Sequence, residues 1–176
     1  MPQLAVPSIM LEAVRNPIFA VGLPLTLGWA SGFPTAKVVR EPWYQNLNAP
    51  PGRPPRQVFP VVWPILYASM GYAAHVAAKS LETTITPSGR DALNTGLVIY
   101  YGQLALNFAW SPTFFGAKQM GYALADSAAL LGSVLYMTKL WDGPTRGQTT
   151  ILLAPYCLWA AFATYLNGGY WYLNRV

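Results

Sequence analysis

Few side chains in this sequence could carry acid–base or metal chemistry, and they stand far apart. Asp126 is the one carboxylate inside a long apolar stretch, His75 the one histidine and Cys157 the one cysteine. Hydrolysis by paired acids needs a second carboxylate beside the first, and a nucleophile needs a base next to it. Neither pattern is present, and there is no phosphate loop or dinucleotide fingerprint. A lone Cys forms no intramolecular disulfide and no Cys-based metal cluster. His75 has no second ligand and reads as a hydrogen-bonded residue near the end of its helix. No metal and no cofactor are expected. Redox or photochemical reactivity at tryptophan leaves no such motif and stays open.

Aromatic rings are the larger signal. Trp63, Trp110 and Trp159 lie within apolar stretches, together with Tyr67, Phe114, Phe115, Tyr122 and Tyr156. Trp43, Trp141 and Trp171 suit the aromatic belt at a membrane interface, whereas Trp63 and Trp159 lie deeper. Rings around a cavity in a helix bundle would enclose a large flat apolar ligand, with a few polar groups fixing its orientation. Asn107 and Asp126 could be those groups. For Asp126 a structural hydrogen bond between helices is an equal alternative, because an ionisable group in a membrane must face a partner or a cavity.

The elements that hold these residues follow from composition. The chain has 176 residues, 53% hydrophobic and 10% charged. That is far below the charge of an ordinary soluble domain, about 25%, and it excludes both a soluble surface of normal composition and a disordered chain. The net charge is +5, but the cations are spread thinly between apolar runs. They suit lipid headgroups and lack the clustered basic face of a nucleic-acid binder, so nucleic acid is not expected as a partner. No secretory signal is evident at the start, where Glu12 interrupts the sequence.

A helix needs about 20 apolar residues to cross the hydrocarbon core. Stretches bracketed by charges run over 16–36, 57–78, 92–117, 119–138 and 147–174. They are too long and too uniformly apolar for barrel strands. The expected fold is therefore all-α: a polytopic membrane protein, one domain over 1–176, built as a bundle of five transmembrane helices. A Pro-rich loop is expected over 41–56, a shorter polar loop from Ser80 to Arg90, and a turn at Trp141-Asp142-Gly143-Pro144. The tight link near Phe115-Gly116-Ala117-Lys118 makes the third and fourth spans antiparallel neighbours. Five cations on one side face six on the other, so the positive-inside rule gives little orientation. The first loop, with Lys37, Arg40, Arg53 and Arg56 against Glu41, favours the cytosolic side.

Small residues allow helices to approach closely in lipid. Gly28 and Gly32, Ala105 and Ala109, and the row Gly121, Ala125, Ala129 with Ala128 and Gly132 have helical spacing. They read as packing inside the bundle, with a homodimer seam as the alternative.

Several ordered strings then resemble a known family. They are Trp43-Tyr44, Pro50-Pro51, Phe59-Pro60-Val61-Val62-Trp63-Pro64-Ile65-Leu66-Tyr67 and Met70-Gly71-Tyr72. They continue with Gln103-Leu104-Ala105-Leu106-Asn107-Phe108-Ala109-Trp110, Phe114-Phe115-Gly116, Gln119-Met120-Gly121 and Ala123-Leu124-Ala125-Asp126. Trp159, Ala161-Phe162-Ala163-Thr164 and Leu166-Asn167 complete the set. Together they resemble the translocator protein family, also called peripheral benzodiazepine receptors or tryptophan-rich sensory proteins (TspO/MBR). The first helix matches least, with Gly28 and Gly32 as its anchors.

The resemblance implies a five-helix bundle, usually dimeric, with a cavity open toward the first loop. Its ligands would be porphyrins, cholesterol or other sterols, and isoquinoline or benzodiazepine-type drugs, alongside membrane lipid. Trp63, Asn107, Trp110, Phe115, Tyr122, Asp126, Trp159, Ala163 and Leu166 would line or border that cavity. Tyr122 stands where many members have Trp. Trp63 and Trp159 match positions tied to porphyrin breakdown in bacterial members, so they are the catalytic candidates for Trp-dependent oxidation or photo-oxidation of protoporphyrin. A sterol motif is loosely satisfied by Leu166, Tyr170 and Arg175, although Gly168-Gly169 replaces the family's tyrosines. The resemblance further implies the mitochondrial outer membrane in a eukaryote, or a cell-envelope membrane in a bacterium. The expected function is a receptor or translocator-like binder of tetrapyrroles and sterols, with the porphyrin-degrading enzyme as the alternative.

Overall fold

The computed structural model describes residues 6–175, and every regular element among them is helical. A short helix α1 (Ser8–Arg15) leads into α2 (Pro17–Val38). After it come the one-turn α3 (Pro42–Gln45), a 3-10 turn (Arg56–Val58) and the long helices α4 (Phe59–Thr83) and α5 (Pro87–Ser111). A π-helical turn (Pro112–Gly116) joins α5 to α6 (Met120–Asp142), and α7 (Gln148–Asn174) closes the chain. Prolines at the first helical turns of α2, α4 and α5 fit there because those N–H groups have no intrahelical partner.

The five long helices pack in the ring order α2, α4, α7, α6, α5, with α5 also against α2 and α4. Met70 and the small side chains of Ala73, Ala74, Ala77 and Ala78 on α4 form the centre, all fully buried. Leu93, Leu97 and Tyr100 of α5, Val134, Met137 and Trp141 of α6, and Leu153 and Tyr156 of α7 meet them. Large apolar residues cover the outside, among them Ile18 (78% exposed), Trp29 (71%), Ile151 (78%) and Leu158 (75%). Water would penalise such a surface, and hydrocarbon does not. The protein is a polytopic integral membrane helix bundle.

Four helices are both long and apolar enough to cross a membrane: α2, α4 with its preceding turn, α6 and α7. The expectation of five is corrected to four on this measure, because α5 falls short although it has 25 residues. Its polar Gln103 and Asn107 lower its hydropathy, but both point inward and are buried. The charged residues also fail as helix ends. Lys79 and Glu82 lie inside α4, Arg90 and Asp91 inside α5, and Lys139 inside α6. Near the interface a helix continues while its charged tips reach water. The polar loop expected from Ser80 to Arg90 shrinks to 84–86. The loop over 41–56 contains α3, and α1 is a further helix that precedes the first expected span.

At one end of the bundle Arg15 pairs with Glu12 and Glu82, and Lys79 pairs with Glu82. His75 Nδ1 lies 3.0 Å from the Val14 carbonyl and ties α1 to α4, in line with its reading as a hydrogen-bonded residue. No metal-binding group of His, Cys, Asp or Glu is present among the described residues.

The small-residue pairs divide. An added Cβ at Gly28 would lie 2.1 Å from the Tyr67 ring, so Gly28 is a packing residue, while Gly32 faces open space. Ala105, Ala109, Ala125, Ala128, Ala129 and Gly132 are exposed on the outer face, and Gly121, also exposed, lies against the Trp171 indole of α7.

Candidate functional site

Two aromatic clusters sit toward the end of the bundle that carries the Pro-rich loop. The first is built on α4 and α7. Trp63 stacks on Tyr67, centroids 5.4 Å apart, one helical turn along α4. Trp159 of α7 meets Trp63 edge to face at 6.5 Å and also touches Phe59 and Phe162, each at 5.8 Å. Such offset contacts suit the ring quadrupoles. The rings touch one another instead of surrounding an open hollow. Beside them a groove of about 440 Å³ opens between α4 and α7, lined by Val62, Ile65, Leu66, Pro155, Leu158, Trp159 and Phe162. The Trp159 indole N–H is buried and has no hydrogen-bond partner.

Below this cluster lies a polar network that joins α4, α5 and α7. The Tyr67 hydroxyl donates to Asn107 Oδ1 at 2.7 Å, and Asn107 Nδ2 donates to the Tyr156 hydroxyl at 2.9 Å. The Tyr156 hydroxyl donates in turn to Gln103 Oε1 at 2.7 Å. Away from water each of these groups needs a partner, so the network fixes how the three helices meet. Asn107 was expected to orient a ligand. Both ends of its amide are taken up by the two tyrosines.

The second cluster gathers Trp110, Phe114, Phe115 and Tyr170, with Trp43 and Tyr44 from the loop. The π-helical turn brings both Phe114 and Phe115 inward. Trp110 stacks on Phe114 at 5.0 Å, and its indole N–H donates to Asn167 Oδ1 at 2.8 Å. Asn167 Nδ2 donates to the Met120 carbonyl at 2.9 Å and so couples α5, α6 and α7.

The remaining expected residues spread out. Leu166 is buried and Ala163 half-buried on α7. Asp126 is half-buried, with one carboxylate oxygen enclosed and without a partner. Tyr122 is 74% exposed and lies outside the bundle, in a different groove from Trp159. Leu166, Tyr170 and Arg175 do not share a surface: the first two are buried and Arg175 is exposed. Gln103, Tyr156 and Asn167 join the site from outside the expected set. Gln103 and Asn107 at i,i+4 in an apolar helix carried the signal, since polar groups one turn apart share a face that must find partners.

The loop is fastened to α7 from both sides. Asn48 and Asn174 exchange backbone-to-amide hydrogen bonds at 2.8 and 3.0 Å, and the Tyr165 hydroxyl donates to the Pro51 carbonyl at 3.1 Å. Pro50 is buried on Gly169, where an added Cβ would lie 2.4 Å from the proline ring. Gly169→Ala is therefore expected to lift the loop. Limited proteolysis over 46–56 should accelerate several-fold, and an unchanged cleavage rate would contradict this contact.

The TspO/MBR family model matches residues 20–173. A translocator protein homolog of Schizosaccharomyces pombe is 38% identical over 152 residues, covering 86% of this chain and 88% of the relative. The human translocator protein is 40% identical over 139 residues, 76% of this chain and 75% of the relative. The tryptophan-rich protein TspO of Chlorobaculum tepidum is 36% identical over 158 residues, 90% of this chain and 95% of the relative. With the aromatic strings of α4, α5 and α7 now placed together in the fold, the match over nearly the whole described chain shows that this protein belongs to the TspO/MBR family.

Proposed function

We propose that this protein binds flat, apolar molecules of the porphyrin class, and sterols, at the rings around Trp63 and Trp159. The observation that carries the reading is the edge-to-face pair of these indoles, with Trp159 also walling a groove of bilayer-facing side chains. A tetrapyrrole is large, planar and lipid-soluble. It would gain from stacking on such rings and from burial of apolar area. The unpartnered Trp159 N–H offers one donor to a ligand acceptor. Family membership supports the same ligand class, with isoquinoline or benzodiazepine-type drugs as further occupants.

In this reading α5 is the fifth crossing, its polar residues covered by the tyrosines of α4 and α7. The chain forms one domain and works as a homodimer, with the outward Ala105 and Ala109 as contact residues. Its membrane would be the mitochondrial outer membrane in a eukaryote or a cell-envelope membrane in a bacterium.

Titration of the detergent-solubilised protein with protoporphyrin tests the site. The Trp63→Phe, Trp159→Phe double variant should lose most of the indole quenching and bind at least about tenfold more weakly, a change of about 1.4 kcal/mol. Equal affinity and equal quenching in the variant would remove this site. The Trp63–Trp159 contact also favours a second reading, photo-oxidative breakdown of the bound porphyrin in which dioxygen is the oxidant and these indoles relay the electrons. Illumination with porphyrin should then yield products that the double variant does not form. Product formation no faster than without protein would exclude it.

A further inference from the structure

A second groove lies on the lipid-facing side, where the start of α6 meets the end of α7. It encloses about 520 Å³ and is walled by Gly121, Tyr122 and Ala125 of α6 and Trp171 of α7, with Lys118 and Arg175 among its lining. Gly121 lets Trp171 lie close, since an added Cβ would stand 3.1 Å from the indole nitrogen. The floor is apolar and small, and the aromatic sides suit the interface between headgroups and acyl chains. Both charged residues of the lining are cations. Arg175 rests 4.2 Å over the Tyr172 ring and makes no ion pair among the described residues. Lys118 lies 5.1 Å over Trp43 and 3.7 Å from Glu41, a half-exposed pair that holds its charge weakly.

We propose that this groove holds one acidic phospholipid, its phosphate between Lys118 and Arg175 and an acyl chain along Gly121 and Ala125. Charge complementarity selects an anionic headgroup over a zwitterionic one, because cations near the membrane surface each favour acidic lipid. The apolar floor, unsuited to a free anion, calls for the attached chain. The site is distinct from the indole pair, from which Tyr122 and Trp171 are absent.

The test is native mass spectrometry of the full-length protein released from micelles containing equal phosphatidylglycerol and phosphatidylcholine. The wild type should retain one phosphatidylglycerol in preference. Each cation removed should lower that preference about fivefold, so Lys118→Gln with Arg175→Gln should abolish it. Lys139→Gln with Arg146→Gln, at other positions on the chain, should leave it unchanged. Gly121→Leu should reduce retention of both lipids by filling the groove. Millimolar inorganic phosphate should not displace the lipid. The proposal is overturned by equal preference in wild type and the Lys118/Arg175 variant, by displacement with phosphate alone, or by Gly121→Leu breaking a dimer without changing lipid retention. The last result would place a second copy of the chain in the groove.

Discussion

Gly71→Ala is expected to lower the thermal unfolding temperature in detergent more than any other glycine-to-alanine change on α2 or α4. An added Cβ at Gly71 would stand 2.2 Å from the Ala20 carbonyl oxygen and 2.9 Å from the Val21 Cα. The obstacle is the backbone of α2, which cannot turn aside as a side chain can. The two helices must separate, and the contacts around buried Ala20 and Ala74 open with them. Overpacking of this kind costs about 1–3 kcal/mol, occasionally more, and backbone against Cβ belongs at the upper end. Gly32→Ala is the matched control. Nothing lies within 4 Å of that position, so helix propensity alone acts, favouring alanine by up to about 1 kcal/mol. Equal unfolding temperatures for the two variants would refute the close approach of α2 and α4.

The second large effect concerns the buried amide. Asn107→Leu removes the acceptor of the Tyr67 hydroxyl and a donor to the Tyr156 hydroxyl. Tyr156 keeps Gln103, but Tyr67 is left with a buried, unpaired O–H. The expected loss is about 1–3 kcal/mol. The lower part of that range applies if the membrane-embedded unfolded state finds other partners. Adding Tyr67→Phe to Asn107→Leu removes the stranded hydroxyl and should recover about 1 kcal/mol, although Tyr67→Phe alone destabilises. Additive losses in this double-mutant cycle would mean that the two side chains are not coupled.

The two predictions show different degrees of legibility in the sequence. The long helices and their membrane setting follow from uncharged apolar stretches, because a backbone in hydrocarbon must satisfy its own hydrogen bonds. The ends of those helices were less readable. Charges such as Lys79 and Arg90 lie inside α4 and α5, since a long cationic side chain reaches water without ending its helix. Aromatic candidates were legible as residue types but not as partners. Trp63 and Trp159 meet, and Trp110 and Phe115 join a different cluster around Tyr170. Tyr122 points outward from α6, although its string gave no sign of that.

The sequence by itself determined helices in a membrane, the family strings, and the absence of acid–base or Cys-based metal chemistry patterns. Only the tertiary structure decided which face of each helix is inside. In soluble proteins hydrophobic periodicity marks the inner face, but lipid rewards apolar residues on every side and erases that contrast. What separates inside from outside here is close backbone approach at Gly71, a tyrosine seated on Gly28, and an amide shared between Tyr67 and Tyr156. Each depends on distances between residues far apart in the chain, and a single sequence carries no measure of them.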